Sequence, residues 1–402
     1  MTPCEGINLA TAPNSGRLTS LDQFRGYTMC GMLLVNFLGG YAVCPKILKH
    51  SHDYCSYADT IMPQFLFAAG FAMRLSLGKR LIAEGKMPWG RAIRRIAGLG
   101  LVAVLWYTFC DLKGIIHQFG NDQTLSVLVR LAKRNWFQTL SHIAATSLWI
   151  LPVIGTSTRT RVCYAIASGA IHVVLSWWFN FAWVHSPPGG IDGGPLGFLT
   201  WAIPALCGTQ ACDAVRDSGV VAARGIARQG LGIMLLGYIF SCVTTLYDLP
   251  VPRTKELSNL AFAADPVLPS SERFQNWNGT LAEPPFIPPP DKQHRERNYW
   301  MMSQRCGSLS YLTFAAGLSL VIYSLFLWVC DGLGWQLGIF RTLGVNSLAA
   351  YILHDMASWY LAPLFPETTT SIPFTMVWFV SFFLIVYGAC RRLEQRGWYL
   401  RV

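Results

Sequence analysis

Apolar residues in this chain fall in long blocks that lack both the strict alternation of a strand and the polar stripe of a surface helix. Ten stretches are nearly free of charge and long enough for a membrane helix, which needs about 20 residues. They run over about 26–45, 60–78, 94–112, 137–156, 162–181, 196–213, 229–247, 308–330, 341–360 and 372–390. The third is the shortest, with a charge-free core of only Ile96 to Cys110, so Arg94, Arg95 and Lys113 would snorkel toward the interfaces. The pattern predicts an all-α polytopic membrane protein of about ten transmembrane helices, forming one domain over 1–402. Residues 248–307 interrupt it. That segment is polar, mixed in charge and rich in proline (Pro284, Pro285, Pro288, Pro289, Pro290), and it reads as one long external loop, functional or mobile rather than a simple connector.

Composition agrees with the pattern. Of the 402 residues 52% are hydrophobic and only 13% charged, about half the charged share of a soluble domain. The net charge of +11 therefore points away from nucleic acid and toward Lys and Arg collected in cytoplasmic loops facing anionic lipid. With the N-terminus inside, 19 of the 32 Lys and Arg lie on the inner side: Arg17, Arg25, Arg74, Lys79, Arg80, Lys86, Arg91, Arg94, Arg95, Arg159, Arg161, Arg216, Arg224, Arg228, Arg341, Arg391, Arg392, Arg396 and Arg401. Seven of the others sit in 248–307, where length weakens the rule. Both termini are expected in the cytoplasm, as an even number of spans requires. Residues 1–24 lack an apolar signal-peptide core.

The 12 cysteines show no paired CxxC spacing and mostly lie in apolar runs, as buried thiols do. Cys44 and Cys55 bracket one polar loop, where an oxidising compartment would permit a disulfide. Asn278-Gly279-Thr280 is a glycosylation sequon, relevant only in a eukaryotic secretory setting. No His, Cys or carboxylate cluster has metal-ligand spacing. Trp177, Trp178 and Trp183 fit an interfacial aromatic belt.

The first hundred residues carry the chemistry. Arg17, Ser20, Asp22, Arg25 and Gly26 open the first span. Val35-Asn36 lies within it, Lys49-His50 follows in an external loop, and Ala58-Asp59, Pro63 and Phe65 lead into the second span. This order resembles the catalytic region of the heparan-alpha-glucosaminide N-acetyltransferase family, which opens R-x-x-S-x-D-x-x-R-G. The family continues with a V-N pair, a Lys-His loop and A-D-x-x-x-P-x-F. Thinner matches follow at Phe137-Gln138-Thr139-Leu140, at Gly208-Thr209-Gln210-Ala211, and at Val345-Asn346-Ser347-Leu348 with His354-Asp355. Where the family has a Trp and a Gly after the loop histidine, this chain reads Ser51-His52-Asp53-Tyr54, and His52 is the rival position.

The resemblance implies transfer of an acetyl group from cytosolic acetyl-CoA to an amino sugar or related carbohydrate across the membrane. An attacking amine must lose a proton, which an imidazole with pKa near 6.5 accepts at neutral pH; the same ring can carry the acetyl group transiently. The carbonyl oxygen gathers negative charge, which a buried amide can stabilise. His50 is thus the expected base or nucleophile and Asn36 the expected donor, or else Asn36 is helix-packing glue worth about 1 kcal/mol. Asp59 either orients the loop histidine or caps the helix beginning near Thr60. Asp22 and Arg25 hold the CoA phosphates, or pair with each other at the helix start. His52, His354 and Asp355 are candidates for the acceptor pocket, and His142 and His172 are packing or functional histidines within spans. The expected partners are the lipid bilayer, a carbohydrate acceptor and a second copy of the chain, in a bacterial inner membrane. The competing classes are a secondary transporter of a small polar solute, although no internal repeat is visible, and an inactive relative that binds a partner through 248–307.

Overall fold

The computed structural model describes residues 18–85, 87–112, 115–116, 124–252, 262–277, 279–361, 364 and 371–400. Arg17, Lys113 and Asn278 of the sequon lie outside the described residues. The structure is 73% helix, with no strands among the described residues. Its main helices are α1 (Thr19–Leu38), α2 (Ile61–Glu84), α3 (Trp89–Cys110), α4 (Thr139–Ile150), α5 (Thr158–Leu175), α6 (Phe198–Ser218), α7 (Ala222–Cys242), α8 (Leu309–Phe326), α9 (Gly338–Val345), α10 (Ser347–Leu361) and α11 (Ile372–Gln395). A helix satisfies its own backbone donors and acceptors, which a chain crossing hydrocarbon must do.

Among the described residues, six stretches are long and apolar enough to cross a membrane: 58–78, 89–110, 158–185, 194–247, 309–332 and 372–395. The fourth contains two successive helices, α6 and α7. Ten spans do not emerge on this criterion, for local reasons. In α1, Asp22, Gln23, Arg25 and Asn36 dilute the apolar run. The helix covering the fourth expected span is short, continuing α4 only to Val153. The ninth breaks at Asn346 into α9 and α10. The first helix also starts earlier than the charge-free run suggested, because Asp22 and Arg25 lie inside it, and it ends at the Gly39-Gly40 pair rather than reaching residue 45.

The spans at 58–78 and 309–332 are 61% buried, whereas those at 89–110 and 372–395 are only 11% and 17% buried. The first pair therefore forms the centre of the bundle, and the second pair presents apolar side chains outward, as lipid-facing helices do. Exposed Trp177 and Trp178 belong to the same outer surface.

Polar contacts define two ends. At one, Arg74 grips both oxygens of Asp213 (2.8 and 3.2 Å) and the Ile154 carbonyl (2.6 Å), and fully buried Arg161 bonds the same carboxylate, tying α2, α5 and α6 together. Ser20 meets Asp331 and Thr342 meets Glu394 nearby in the same layer of connections. At the other end lie residues 41–60, 186–197 and the described residues of 243–308.

The long segment there is folded over that end rather than trailing from it. Arg295 bridges Asp248 and Glu283, Arg273 bridges Asp265 and Glu296, and Tyr299 is fully buried against Phe181 and Cys306. Cys44 and Cys55 are free thiols buried in different apolar clusters, so no disulfide closes their loop. His142 packs on Trp201 and His172 bonds the Tyr299 hydroxyl at 2.8 Å; both serve the packing of the bundle.

Helices α2 and α6 touch at a pair of glycines. A Cβ on Gly70 would fall 1.9 Å from the Ala205 carbonyl oxygen, and one on Gly208 would fall 2.0 Å from that of Phe67. Small residues allow this approach, which substitutes for a hydrophobic driving force within lipid. Gly208→Val should push the two helices apart, costing at least the ~1–3 kcal/mol of ordinary overpacking. The expected readout is a lower thermal midpoint and loss of the monodisperse peak in detergent; an unchanged midpoint would show that the crossing is not tight.

Candidate active site

The loop between α1 and α2 folds around one carboxylate. Asp59 is 1% exposed, at the start of the turn that feeds α2. Its Oδ2 accepts the Ser56 N–H at 2.9 Å, the Ser56 hydroxyl at 2.8 Å and the Ser51 N–H at 3.3 Å, and its Oδ1 faces His50 Nδ1 at 2.9 Å. Each of these partners precedes Asp59 in sequence. The carboxylate therefore organises the loop and orients the histidine, while its backbone carbonyl receives the Tyr311 hydroxyl from α8.

With Nδ1–H donated to the carboxylate, His50 keeps a lone pair on Nε2. The protein crowded around the ring disfavours its charged form, but the hydrogen bond and charge of Asp59 outweigh that and raise the His50 pKa above 6.5. His52 behaves oppositely. Crowding, with the Arg305 guanidinium beside it, drops its pKa to about 4.

Asn36, His354 and Asp355 form a separate polar string. His354 bonds the Tyr351 carbonyl through Nδ1, and its Nε2 lies 3.0 Å from Asn36 Nδ2 and 3.2 Å from Asp355 Oδ1. Asp355 in turn accepts the Trp106 indole N–H at 2.9 Å, linking α1, α10 and α3. Among the described residues no hydrogen bond joins Asn36 to His50.

A cavity of about 620 Å³ opens between these helices. Asp22, Arg25, Arg91 and Arg95 line it toward the Arg74 end, and Met29, Thr139 and Tyr351 line it deeper in. Arg25 also bonds the Ser347 hydroxyl at 2.6 Å. The Tyr351 hydroxyl meets that of Tyr107 at 2.9 Å.

Asp192 was not legible as a site residue. It is 2% exposed, adopts a left-handed backbone (φ 54°), and accepts a hydrogen bond from Gln304 Nε2 at 2.9 Å. Burial raises its pKa to about 7, against the opposing pull of His50 and Gln304. In the sequence Asp192-Gly193-Gly194 reads only as a turn, and Gln304 carries no signal at all. The folded outer segment reaches the His50 loop through Arg297 to Asp53 at 2.7 Å and through the Phe286 N–H to the Cys55 carbonyl at 3.0 Å.

Apolar helices of spanning length, with an oriented histidine at one end and an arginine-flanked cavity opening at the other, define an integral membrane protein. Residues 17–188 match the model of the family described as heparan-alpha-glucosaminide N-acetyltransferase, catalytic. Over that stretch, less than half of the chain, the protein is similar to this family, which supports a membrane enzyme of the acetyltransferase type. No curated protein matches it.

Replacing Asp59 by Asn removes the charge that sustains the His50 imidazolium but leaves the crowding, so the His50 pKa should fall. The sign follows from linkage: a raised histidine pKa adds stability below about pH 6.5, and that contribution disappears as pH rises through the folded-state value. NMR titration of histidine-labelled protein should show the lower midpoint, and a midpoint equal to wild type would remove Asp59 as its cause. Asp59→Ala should also strand the Ser51 and Ser56 N–H groups, at about 1–3 kcal/mol for each that stays buried, seen as faster hydrogen exchange confined to 50–60.

Proposed function

We propose that the protein moves an acetyl group from cytosolic acetyl-CoA to the amino group of a carbohydrate on the opposite face of the membrane. In this reading the Arg74 end faces the cytoplasm of a bacterial inner membrane, both termini lie on that side, and the His50 end faces outward, in keeping with the preference of Arg and Lys for cytoplasmic connections. The observation that carries the proposal is the cavity. Its Arg25, Arg91 and Arg95 suit the CoA phosphates, its volume lies within the usual range of about 300–1,000 Å³ for ligand sites, and its lining continues past Met29 to Thr139 and Tyr351.

His50 acts as the base. Its Nε2 takes a proton from the acceptor amine as nitrogen attacks the thioester carbonyl; the C–N bond forms, the C–S bond breaks, and the departing CoA thiolate takes up a proton. Asp59 stabilises the imidazolium so produced. His52, with a pKa of about 4, is too weak a base at neutral pH, which favours His50 over its neighbour. Asn36 donates to the carbonyl oxygen. One N–H of its amide is committed to His354 and fixes its plane, leaving the second for the substrate. His354 and Asp355 hold that amide, and His52 and the outer segment border the acceptor.

Two measurements in vesicles loaded with acetyl-CoA test the reading. His50→Ala should lower CoA release by ~10²–10⁴-fold at unchanged protein level, and Arg91→Ala with Arg95→Ala should raise KM for acetyl-CoA with little change in kcat. A His50→Ala variant turning over at the wild-type rate, or acceptor flux without CoA release, would exclude acetyl transfer through this site; the second result would instead indicate transport.

A further inference from the structure

Helices α1 and α10 both border the cavity, and their polar side chains meet at two levels. Near the Arg74 end Arg25 bonds the Ser347 hydroxyl at 2.6 Å, and toward the His50 end Asn36 Nδ2 lies 3.0 Å from His354 Nε2. Asn36 follows the lining residue Met29 by seven positions, and His354 follows the lining residue Ser347 by seven, so each lies on the lined face of its helix about two turns further on. The two faces therefore continue, by about 10 Å along each axis, to the pair that holds the amide. Tyr351 stands between the two levels, on the cavity wall and three residues before His354.

The hydroxyl behind that wall fixes what Tyr351 can do. Tyr107 is 3% exposed; its oxygen accepts the Leu140 N–H at 2.9 Å and lies 2.9 Å from the Tyr351 hydroxyl. Among the described residues the Tyr107 hydrogen has no acceptor other than the Tyr351 oxygen, and a buried hydroxyl left unpaired costs about 1–3 kcal/mol. Tyr107 is therefore the donor of the pair. One phenol is anchored on α4 and the next receives from it, which leaves the hydrogen of half-buried Tyr351 for the cavity. Thr139, on the same wall, directs its hydroxyl to the Met62 sulfur at 3.8 Å, so it can accept from Tyr351 but does not compete with it as a donor.

We propose that Tyr351 is a catalytic residue whose hydroxyl donates a hydrogen bond to the thioester sulfur and steadies the negative charge that collects there as the C–S bond breaks. This role rests on the acetyl-transfer reading. A CoA thioester entering past Arg25 brings its acetyl group ahead of its sulfur, so the carbonyl meets Asn36 and the sulfur meets Tyr351, about one helical turn nearer the mouth. The amine nitrogen bonds the acetyl carbon, and the electron pair of the C–S bond passes to sulfur. Phenols are weaker acids than thiols, about 10 against about 8.5, so Tyr351 keeps its proton. The thiolate takes a proton from water on the cytoplasmic side, and the amine's proton leaves on His50. An amide for the oxygen and a phenol for the sulfur thus share the charge of the transition state.

Tyr351→Phe in the full-length protein keeps the ring and removes only the donor. In the vesicle assay kcat should fall about 10²-fold with KM for acetyl-CoA nearly unchanged. The thiol of bound CoA, followed by thiolate absorbance as the purified protein is titrated, should ionise at least ~1 pH unit higher than in wild type. Met62→Leu, which removes the Thr139 contact on the same wall, should change neither. A Tyr351→Phe protein with wild-type kcat or an unshifted thiol would overturn the proposal, as would equal changes in Met62→Leu. Should Tyr351→Phe lose its fold, replacing Tyr351 by 3-fluorotyrosine carries the test: the more acidic phenol should lower the thiol midpoint, and a midpoint that fails to fall refutes the role. Wild-type protein that binds no CoA removes the acetyl-transfer reading and this role with it, whereas wild-type protein that transfers acetyl and is indifferent to Tyr351→Phe removes the role alone.

Discussion

A carboxylate withdrawn from water at the rim of an apolar bundle must find compensation nearby, and Asp59 finds it in the loop that precedes it. Two backbone N–H groups, one hydroxyl and one imidazole converge on its oxygens, and a tyrosine from α8 reaches its carbonyl. That demand shapes residues 50–59, joins them to the centre of the bundle, and decides which histidine of the loop is charged most easily. Without it, His50 and His52 would be two imidazoles on a polar connector. With it, one is biased toward protonation and the other away from it.

The same economy recurs at the opposite end. Asp213 is held by two arginines, one of them fully buried, and the three side chains join α2, α5 and α6 where apolar packing alone has no preference of direction. Charged clusters thus clamp both ends, and glycines let the helices between them approach closely. Between the clamps lies the cavity, lined by apolar side chains with Arg25, Arg91 and Arg95 toward the Arg74 end.

The outer segment changes the picture of the site most. Its proline-rich, polar character reads as a long loop, but its arginines find carboxylates within the segment and on its neighbours, and its tyrosine and tryptophan reach apolar clusters. Polar composition signals exposure on average. It does not register pairing between residues far apart, which is how this segment becomes ordered and supplies Gln304.

Hydrophobic blocks along the chain determine that it is a helical membrane protein, since backbone groups in lipid must bond locally and only apolar side chains are tolerated there. Short-range motifs likewise determine the His50 to Asp59 pairing, nine residues apart in one loop. The end of α1 at Gly39, the break at Asn346, the pairing of Asn36 with His354, and the meeting of Asp192 with Gln304 were settled only by the tertiary structure. Each depends on which helix a polar side chain faces, and that is fixed by packing between segments that share no local pattern.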